Sequence, residues 1–461
     1  MKYSFALIAA LLAACAVQPD ANTAATQSNR VADAPAVLLS PIDKKSWRAD
    51  FSWTTPVTQL DFVRQSNQYR LTRVKVLDDA FELFTSDNGD AIRRRDGAPF
   101  TSVTIVEPTL IEDPPAGYLP FVSFSDGNIL LYTGRFHTCA GACPSDFAHE
   151  EGLWPITIDP GKNQRMIING SVETGRVSFI DSGDGTKVYI GDGHITEGNN
   201  LLAVIDTAVP KIVAEKLSQL FPPLMDYFGE RLGKLTDTQM LFASYNVPGD
   251  LPGSSSKGGS LPNQVFMHFE GKQIPERSTG ADFPSYLTWF FAHEVAHLHQ
   301  GFRPAEYERV DSWIHEGSAE AFAYLSVQEL QAAPAAYLDQ RLNTAMQNCA
   351  QALADGPLNT ALKRDQPFQS LYDCGLILQL AVGFASGRSS ELDLFNVWKN
   401  FNKRVAQGSP WNSTTYLNVV AELADEETTN FVESIVTTPV ENPLEYLKQG
   451  LVNSGFGGTQ Y

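Results

Sequence analysis

The chain has 461 residues, 43% of them hydrophobic and 11% aromatic, so it can build large cores, and its length favours two domains. Its formal net charge is −19. A protein that binds nucleic acid needs a basic surface, and no basic cluster interrupts this acidic balance, so we expect neither DNA nor RNA as a partner. We interpret the acidity as a solvated exterior.

The first fifteen residues are typical of an export signal. Lys2 gives a positive start, and residues 5–12 form an apolar run too short to span a bilayer as a mature helix. The run ends in the letters LAAC, which resemble the lipobox of bacterial lipoproteins. This resemblance implies lipidation of Cys15 and an anchor in the bacterial cell envelope, and Ala16 favours the outer membrane, on its periplasmic or surface face. The alternative is an ordinary secretory signal with an incidental cysteine.

Four cysteines remain once Cys15 is set aside, and an even number in an exported chain predicts disulfides. Pairing the nearest neighbours gives Cys139–Cys143 and Cys349–Cys374, although four cysteines allow three connectivities. A metal site within the stretch HTCAGAC, which includes His137, is the alternative. Zinc usually takes four ligands and only three are evident in that stretch, so disulfides are favoured.

Residues 16–45 are predicted to be a disordered tether, because their first twenty are rich in Ala, Thr, Gln, Asn and Ser and bury too little apolar surface to fold. Residues 46–200 predict an all-β domain, a sandwich or saddle. The stretch SVTIVEP alternates between apolar and polar residues, as strands do. Turn signals at Asp126-Gly127 and Asp184-Gly185 each predict a hairpin between two apolar runs.

From residue 201 to the end, helical patterns dominate. Residues 209–228 place apolar side chains at helical spacing. QMLFASYNV and QVFMHFEG predict two strands, joined by the loop PGDLPGSSSKGGSLPN, and helices then follow. The sequence therefore predicts an α+β chain: an all-β domain, then a mostly helical domain over residues 201–461.

The stretch FFAHEVAHLHQ carries two histidines four residues apart. A helix from about Pro284 to Gln300 would place His293 and His297 on one face, where both imidazoles can reach one metal ion. Glu294 would lie about 100° further round the helix, near the ion but not bound to it. From there it could deprotonate a water molecule whose acidity the metal has raised. Two histidines leave a catalytic zinc without its third protein ligand.

The stretch SWIHEGSAEAFAY supplies a candidate third ligand. Glu316 follows His297 after 18 intervening residues and would leave one position at the zinc open to water. Glu320 lies one turn later on the same face, where it could hydrogen-bond a ligand imidazole and fix its tautomer. The alternative is a solvated glutamate face. The flanking apolar residues favour a buried helix instead, and buried carboxylates need partners.

This pattern of H-E-x-x-H, 18 residues and a Glu within WIHEG resembles the gluzincin metallopeptidases, in particular the aminopeptidase N and glycyl aminopeptidase families. The resemblance covers about residue 201 to the end. It implies a thermolysin-like catalytic domain with a small mixed sheet, one zinc per chain and hydrolysis of peptide bonds. In SLYDCGLILQLAV it also implies that Tyr372 donates to the oxyanion, with Gly375 at the matching place. The alternative for Tyr372 is a core-edge aromatic.

The sequence departs from these families at one motif. Their aminopeptidases carry G-x-M-E-N on a cleft strand, whose Glu binds the substrate α-amine. The nearest match is residues 259–263, which makes Gly259, Ser260 and Asn263 candidate substrate-binding residues, but Pro262 stands at the Glu position. Glu270 is a candidate replacement.

The resemblance thus implies an aminopeptidase-like enzyme of the cell envelope, acting on peptides or proteins bound by β-augmentation of the edge strand. Two alternatives remain. One is an endopeptidase that uses the same zinc site, and the other is a catalytically silent zinc-containing surface lipoprotein that binds a partner.

Overall fold

The computed structural model describes residues 34–66, 68–109, 118–144, 152–198, 200–247, 251–301, 308–387 and 393–456. The export signal, Cys15 and most of the predicted tether lie outside these ranges. Among the residues within them, no helix combines the length and apolar composition needed to cross a membrane.

The N-terminal part is an all-β domain built from three sheets, as the sequence predicts. Its strands are β1 (Ala36–Pro41), β2 (Ser46–Val57), β3 (Gln59–Phe62), β4 (Lys75–Val76), β5 (Phe81–Ser86), β6 (Gly89–Arg94), β7 (Phe100–Pro108), β8 (Phe121–Ser123), β9 (Ile129–Tyr132), β10 (Thr138–Ala140), β11 (Leu153–Ile158), β12 (Arg165–Ile168), β13 (Ser171–Thr174), β14 (Val177–Ser182) and β15 (Lys187–Ile190). A short helix, α1 (Tyr69–Arg73), and a 3-10 turn at Thr133–Phe136 interrupt them. The strand orders are β14-β11-β1-β2-β7-β4, β10-β3-β6-β5 and β13-β12-β15-β9-β8.

Alternation of buried and exposed residues explains these sheets. In β2, for example, Trp47, Ala49 and Phe51 face the core while the residues between them are less buried. The hairpin predicted at Asp126-Gly127 is confirmed, because β8 pairs with β9 across it.

Two predictions about this domain are wrong. The tether does not extend to residue 45, because β1 pairs with both β2 and β11 and buries Val37 and Leu39. The turn at Asp184-Gly185 does not close a hairpin, since β14 pairs with β11 whereas β15 pairs with β9 and β12 in another sheet. The local pattern identified the turn, but the partners of the two strands are set by distant residues.

The C-terminal part combines a five-stranded mixed sheet with helices, which confirms the α+β class. The sheet has the order β16-β17-β18-β20-β19, where β16 is Thr196–Gly198, β17 Leu201–Ile205, β18 Gln239–Asn246, β19 Ser255–Leu261 and β20 Gln264–Glu270. Strands β17, β18 and β20 are parallel, and β19 runs antiparallel at the edge. The stretch predicted as a loop therefore contains a strand. Its Gly and Ser residues favour β structure weakly, and pairing along the whole of β20 overrides that preference.

The helices are α2 (Lys211–Leu232), α3 (Ile274–Ser278), α4 (Phe283–His299), α5 (Ser312–Glu329), α6 (Ala335–Leu353), α7 (Gln369–Ser386), α8 (Leu394–Ala406), α9 (Ser413–Leu423), α10 (Glu426–Thr437) and α11 (Pro443–Asn453), with 3-10 turns at Arg309–Asp311 and Leu358–Arg364. They share one large apolar core with one face of the mixed sheet. Both predicted disulfides are present, Cys139–Cys143 in the β domain and Cys349–Cys374 between α6 and α7.

The two parts meet at the other face of the mixed sheet. Leu130 and Tyr189 of the β domain share an apolar cluster with Phe242 and Phe266. The Gln264 amide reinforces this contact, since it donates to the Lys187 carbonyl at 2.7 Å and accepts from the Lys187 backbone N–H at 2.8 Å.

Candidate active site

Helix α4 carries the two predicted histidine ligands. It begins beside Pro284 and ends just before Gly301, whose φ of +81° is a conformation that L side chains rarely adopt. These bounds agree with the predicted helix to within a residue. One turn separates His293 from His297, and their Nε2 atoms lie 3.0 Å apart.

Glu316, the fifth residue of α5, completes a cluster of three donors. Its Oε2 lies 3.4 Å from His293 Nε2 and 3.2 Å from His297 Nε2. Ligand atoms 2.0–2.1 Å from a tetrahedral zinc are about 3.3 Å apart, so the three distances match three corners of one coordination shell. A His₂Glu set with a fourth position for water is the donor set of catalytic zinc, and these residues fit that ion.

Glu320 lies where the sequence predicts, behind the histidine ligands. Its Oε1 is 3.2 Å from His293 Nδ1, while its Oε2 accepts from Trp289 Nε1 at 3.0 Å. Arg341 of α6 donates to the same Oε2 at 2.8 Å and to Asp373 at 2.9 Å. A carboxylate that accepts from Nδ1–H leaves the Nε2 lone pair for a metal, which fixes the tautomer of His293.

Two supporting residues were not predicted. Gln300 Oε1 lies 2.5 Å from His297 Nδ1, and Gln300 Nε2 donates to the His315 carbonyl at 2.9 Å. The His315 ring stacks on His297 with centroids 4.4 Å apart. Gln300 directly follows HEVAHLH, and this position one turn after His297 was the only local indication that its side chain could reach the His297 ring. His299 points elsewhere, its Nδ1 lying 3.1 Å from the Gly233 carbonyl.

The two predicted catalytic side chains flank the three donors. Burial raises the pKa of Glu294, against the opposing effect of the neighbouring histidines. Burial, the negative charges of Glu316 and Glu294, and a hydrogen bond to Glu316 raise the pKa of Tyr372, so its phenol stays protonated and able to donate. The Tyr372 ring stacks near His293 at 5.7 Å between centroids. Burial acts to raise the pKa of the partly buried Glu316, but His297 and hydrogen bonds with the histidines outweigh it and hold that pKa well below the usual value.

Edge strand β19 passes beside Glu294. A Cβ built on Gly258 would lie 3.1 Å from Glu294 Oε1 and 2.6 Å from Phe290, so only glycine leaves that space open. The hairpin closes on the pair Leu261–Gln264. Because a two-residue hairpin closes on a hydrogen-bonded pair and such pairs alternate, the backbone groups of Ser256, Gly258 and Ser260 point to the open edge.

The predicted substrate-binding residues lie on or after this strand, but only part of the set approaches the zinc donors. Gly259 and Ser260 are the next two residues after Gly258. Asn263 lies in the hairpin turn with a φ of +61°, and its side chain bonds to Gln239 and Asp237. Three residues of strand, roughly 10 Å, separate Gly258 from the end of β19, and Asn263 lies beyond that end, so the structure does not bring Asn263 to the cluster.

The candidate amine anchor, Glu270, is already paired. Lys257 Nζ donates to its Oε2 at 2.9 Å, and Glu270 shares a face of β20 with His268, on the side of the β domain. His268 is buried there, 2.8 Å from the Ser244 hydroxyl.

Tyr118, from the β domain, also reaches this edge. Its hydroxyl donates to the outward Ser260 carbonyl at 3.2 Å, and Arg135 Nε donates to the Tyr118 carbonyl at 2.6 Å. Its ring packs on Phe266 at 4.9 Å. The Ser260 end of the open edge is thus closed by a side chain from another domain, which no local sequence signal reveals.

No family model matches the sequence, and no curated protein matches it. Solved structures do match. An aminopeptidase N family protein from Idiomarina loihiensis superposes with a TM-score of 0.62 at 12% identity, covering 90% of this chain and 78% of that one. The chain has the two-domain M1 peptidase fold. Yeast LTA4 hydrolase with bestatin gives a TM-score of 0.52 at 12% identity (88% and 67% covered), and the M1 zinc metallopeptidase of Deinococcus radiodurans gives 0.50 at 12% (89% and 94%).

Proposed function

We propose that the protein is a zinc-dependent peptidase. The observation that carries the proposal is the set of three donors at tetrahedral spacing, His293, His297 and Glu316, next to Glu294 and Tyr372. Zinc in this position would act as a Lewis acid on the scissile carbonyl and raise the acidity of the attacking water. The M1 peptidase fold, shared with an aminopeptidase N family protein and with a protein named as an M1 zinc metallopeptidase, supports the same conclusion.

The side chains divide the remaining work. Glu294 takes a proton from the attacking water and delivers it to the leaving amine, a role for which a raised carboxyl pKa is suited. Tyr372 donates a hydrogen bond to the oxyanion. The outward backbone groups of Gly258 and Ser256 hold the peptide main chain as an added strand. Glu320 and Gln300 orient the histidines from behind.

Within this class we propose an aminopeptidase-like activity, because Tyr118 caps the Ser260 end of the edge by donating to the Ser260 carbonyl. A second candidate is an endopeptidase. It is favoured by the composition of β19, which has no acidic residue to bind an α-amine, and by the pairing of Glu270 with Lys257.

The test uses zinc-loaded protein lacking residues 1–15 and one mixed peptide set in free and N-acetylated forms, with products identified by mass spectrometry. Glu294→Gln is the blank, which we expect to keep zinc and to lose about 10²–10⁴-fold in turnover. Release of single residues from free peptides alone supports the aminopeptidase. Internal cuts in both sets favour the endopeptidase. The absence of any cut rejects the peptidase and leaves the binding lipoprotein.

We also propose that the protein is exported and anchored in the bacterial cell envelope through lipid on Cys15, in the outer membrane. The lipobox-like LAAC and the short apolar run before it support this. Metabolic labelling with a fatty acid, followed by membrane fractionation, tests it: label on the wild type and none on Cys15→Ala is expected. Equal labelling of both proteins contradicts the anchor.

A further inference from the structure

A groove of about 440 Å³ lies at the start of α4, beyond the end of the open strand edge that Tyr118 leaves free. Helix α4 and the face of α6 opposite it line this groove, and Arg277, Tyr286 and Tyr337 are among the lining residues. Its volume falls within the range of small-ligand sites. The proposed hydrolysis uses none of these three residues.

Arg277 is the exposed cation of this groove. Its Nη1 donates to the Ser254 hydroxyl at 3.2 Å, and its guanidinium lies 5.3 Å from the ring centroids of both Phe283 and Tyr286. In the part of the chain that the structure describes, no carboxylate forms an ion pair with it. The two rings and the serine hold the guanidinium in place, so its charge is oriented while remaining available to a ligand.

The other charges of the groove do not compete strongly for an anion. Arg341 also lines it, but both of its terminal nitrogens already bind carboxylates, those of Glu320 and Asp373. Asp282 lines the groove without pairing to Arg277 and would weaken anion binding somewhat. In a chain of net charge −19, an unpaired arginine beside a groove is a specific feature and not part of a general positive field.

The distance along the strand edge from Glu294 to Arg277 determines how many peptide residues fit between them. Glu294 lies beside Gly258, and Arg277 contacts Ser254, which is four residues earlier and directly precedes β19. Strand residues advance about 3.3 Å each, which gives roughly 13 Å. A peptide paired along the edge advances at the same rate. Its residue beside Arg277 is therefore about four positions from the scissile bond.

We propose that Arg277 binds the C-terminal carboxylate of a short peptide substrate, about four residues beyond the bond that is cut. The inference rests on the proposed peptidase function and deepens it by naming the substrate class, peptides of about five residues with a free carboxyl end. The positive charge of Arg277 determines the direction in which the peptide binds. A carboxylate fits the cationic end and the amino end lies towards Tyr118, so the peptide runs antiparallel to β19.

The experiment compares alanine-based peptides of three to eight residues that have a free N-terminus and end in either a carboxylate or an amide. The measured quantity is the ratio of kcat/KM for acid to that for amide at each length, at low ionic strength. For the wild type we expect a ratio of about fivefold at five residues that declines with added salt, as an exposed charge pair would give. Arg277→Gln is expected to bring this ratio to about one, and Arg277→Lys to retain part of it.

Arg176→Gln is the matched control, because Arg176 is exposed in the β domain and its loss changes the net charge equally. It should keep the wild-type ratio, and circular dichroism checks that each variant is folded. An acid preference that is the same in wild type and Arg277→Gln overturns the inference while the peptidase function stands. A wild type that cuts no peptide of either kind overturns the proposed function, and the inference with it.

Discussion

Gly317 and Gly375 allow two site helices to cross at backbone contact, which makes Gly317→Ala a sharp test of the site. A Cβ on Gly317 would lie 2.4 Å from Gly375 Cα, whereas carbon atoms pack best at about 3.5 Å or more. The helices must therefore separate by about 1 Å (3.5 − 2.4). Metal sites tolerate about 0.2 Å, and Glu316 is the neighbour of Gly317. We expect a loss of about 1–3 kcal/mol in stability and at least about tenfold in zinc affinity.

The assays are chelator competition for zinc affinity and denaturant unfolding of the metal-free protein for stability. Gly229→Ala in α2 is the control, since the nearest atom to its added Cβ is 3.5 Å away, an ordinary contact. There the better helix propensity of alanine should stabilise by up to about 1 kcal/mol. If Gly317→Ala matches Gly229→Ala in zinc affinity and in unfolding free energy, the helix crossing does not position Glu316, and the reasoning fails.

Two further predictions concern buried charges. Glu320→Gln should weaken zinc binding about 10–100-fold. The carboxylate accepts on both of its oxygens, because His293 on one side and Trp289 and Arg341 on the other all present donors, whereas an amide has one acceptor atom and one donor atom. Unchanged zinc affinity in chelator competition would contradict this prediction. Burial, and then Arg135, lower the pKa of Lys187 from 10.5 to about 7 in the folded protein. Between pH 7 and 9 the unfolded chain then binds more protons, so stability should rise with pH by about 2 kcal/mol relative to Lys187→Met. Urea unfolding of both proteins at pH 7 and pH 9 measures this difference, and equal pH dependence would refute it.

The metal centre could be predicted largely from sequence because its geometry is mostly local. His293 and His297 share a face of one helix by periodicity alone, and apolar neighbours indicated that the helix of Glu316 and Glu320 is buried. Glu320 is buried there, whereas Glu316 is only partly buried. The residues behind them were harder to find. Arg341 lies 21 residues from Glu320 on another helix, so their contact depends on how α5 and α6 pack.

The substrate-binding residues of the cleft were predicted less well, because the motif match does not fix the register of strand β19. Matching letters to a motif selected residues 259–263, but the hairpin turn fixes which residue faces Glu294, and that residue is Gly258. Tyr118 could not be found at all, since it arrives from a different domain 142 residues away in sequence. The partners of β14 and β15 were missed for the same reason.

The contact between Tyr118 and Ser260 has a consequence for how such a chain can be divided. A domain boundary near residue 200 suggests that one domain could be exchanged for another. However, one wall of the cleft belongs to the β domain, whereas the zinc donors belong to the C-terminal domain. A fragment that starts after this border would expose the apolar surface around Phe242 and Phe266 to water. Any fusion or recombination that replaced the β domain would have to supply a new wall, so the two domains must be engineered as one unit.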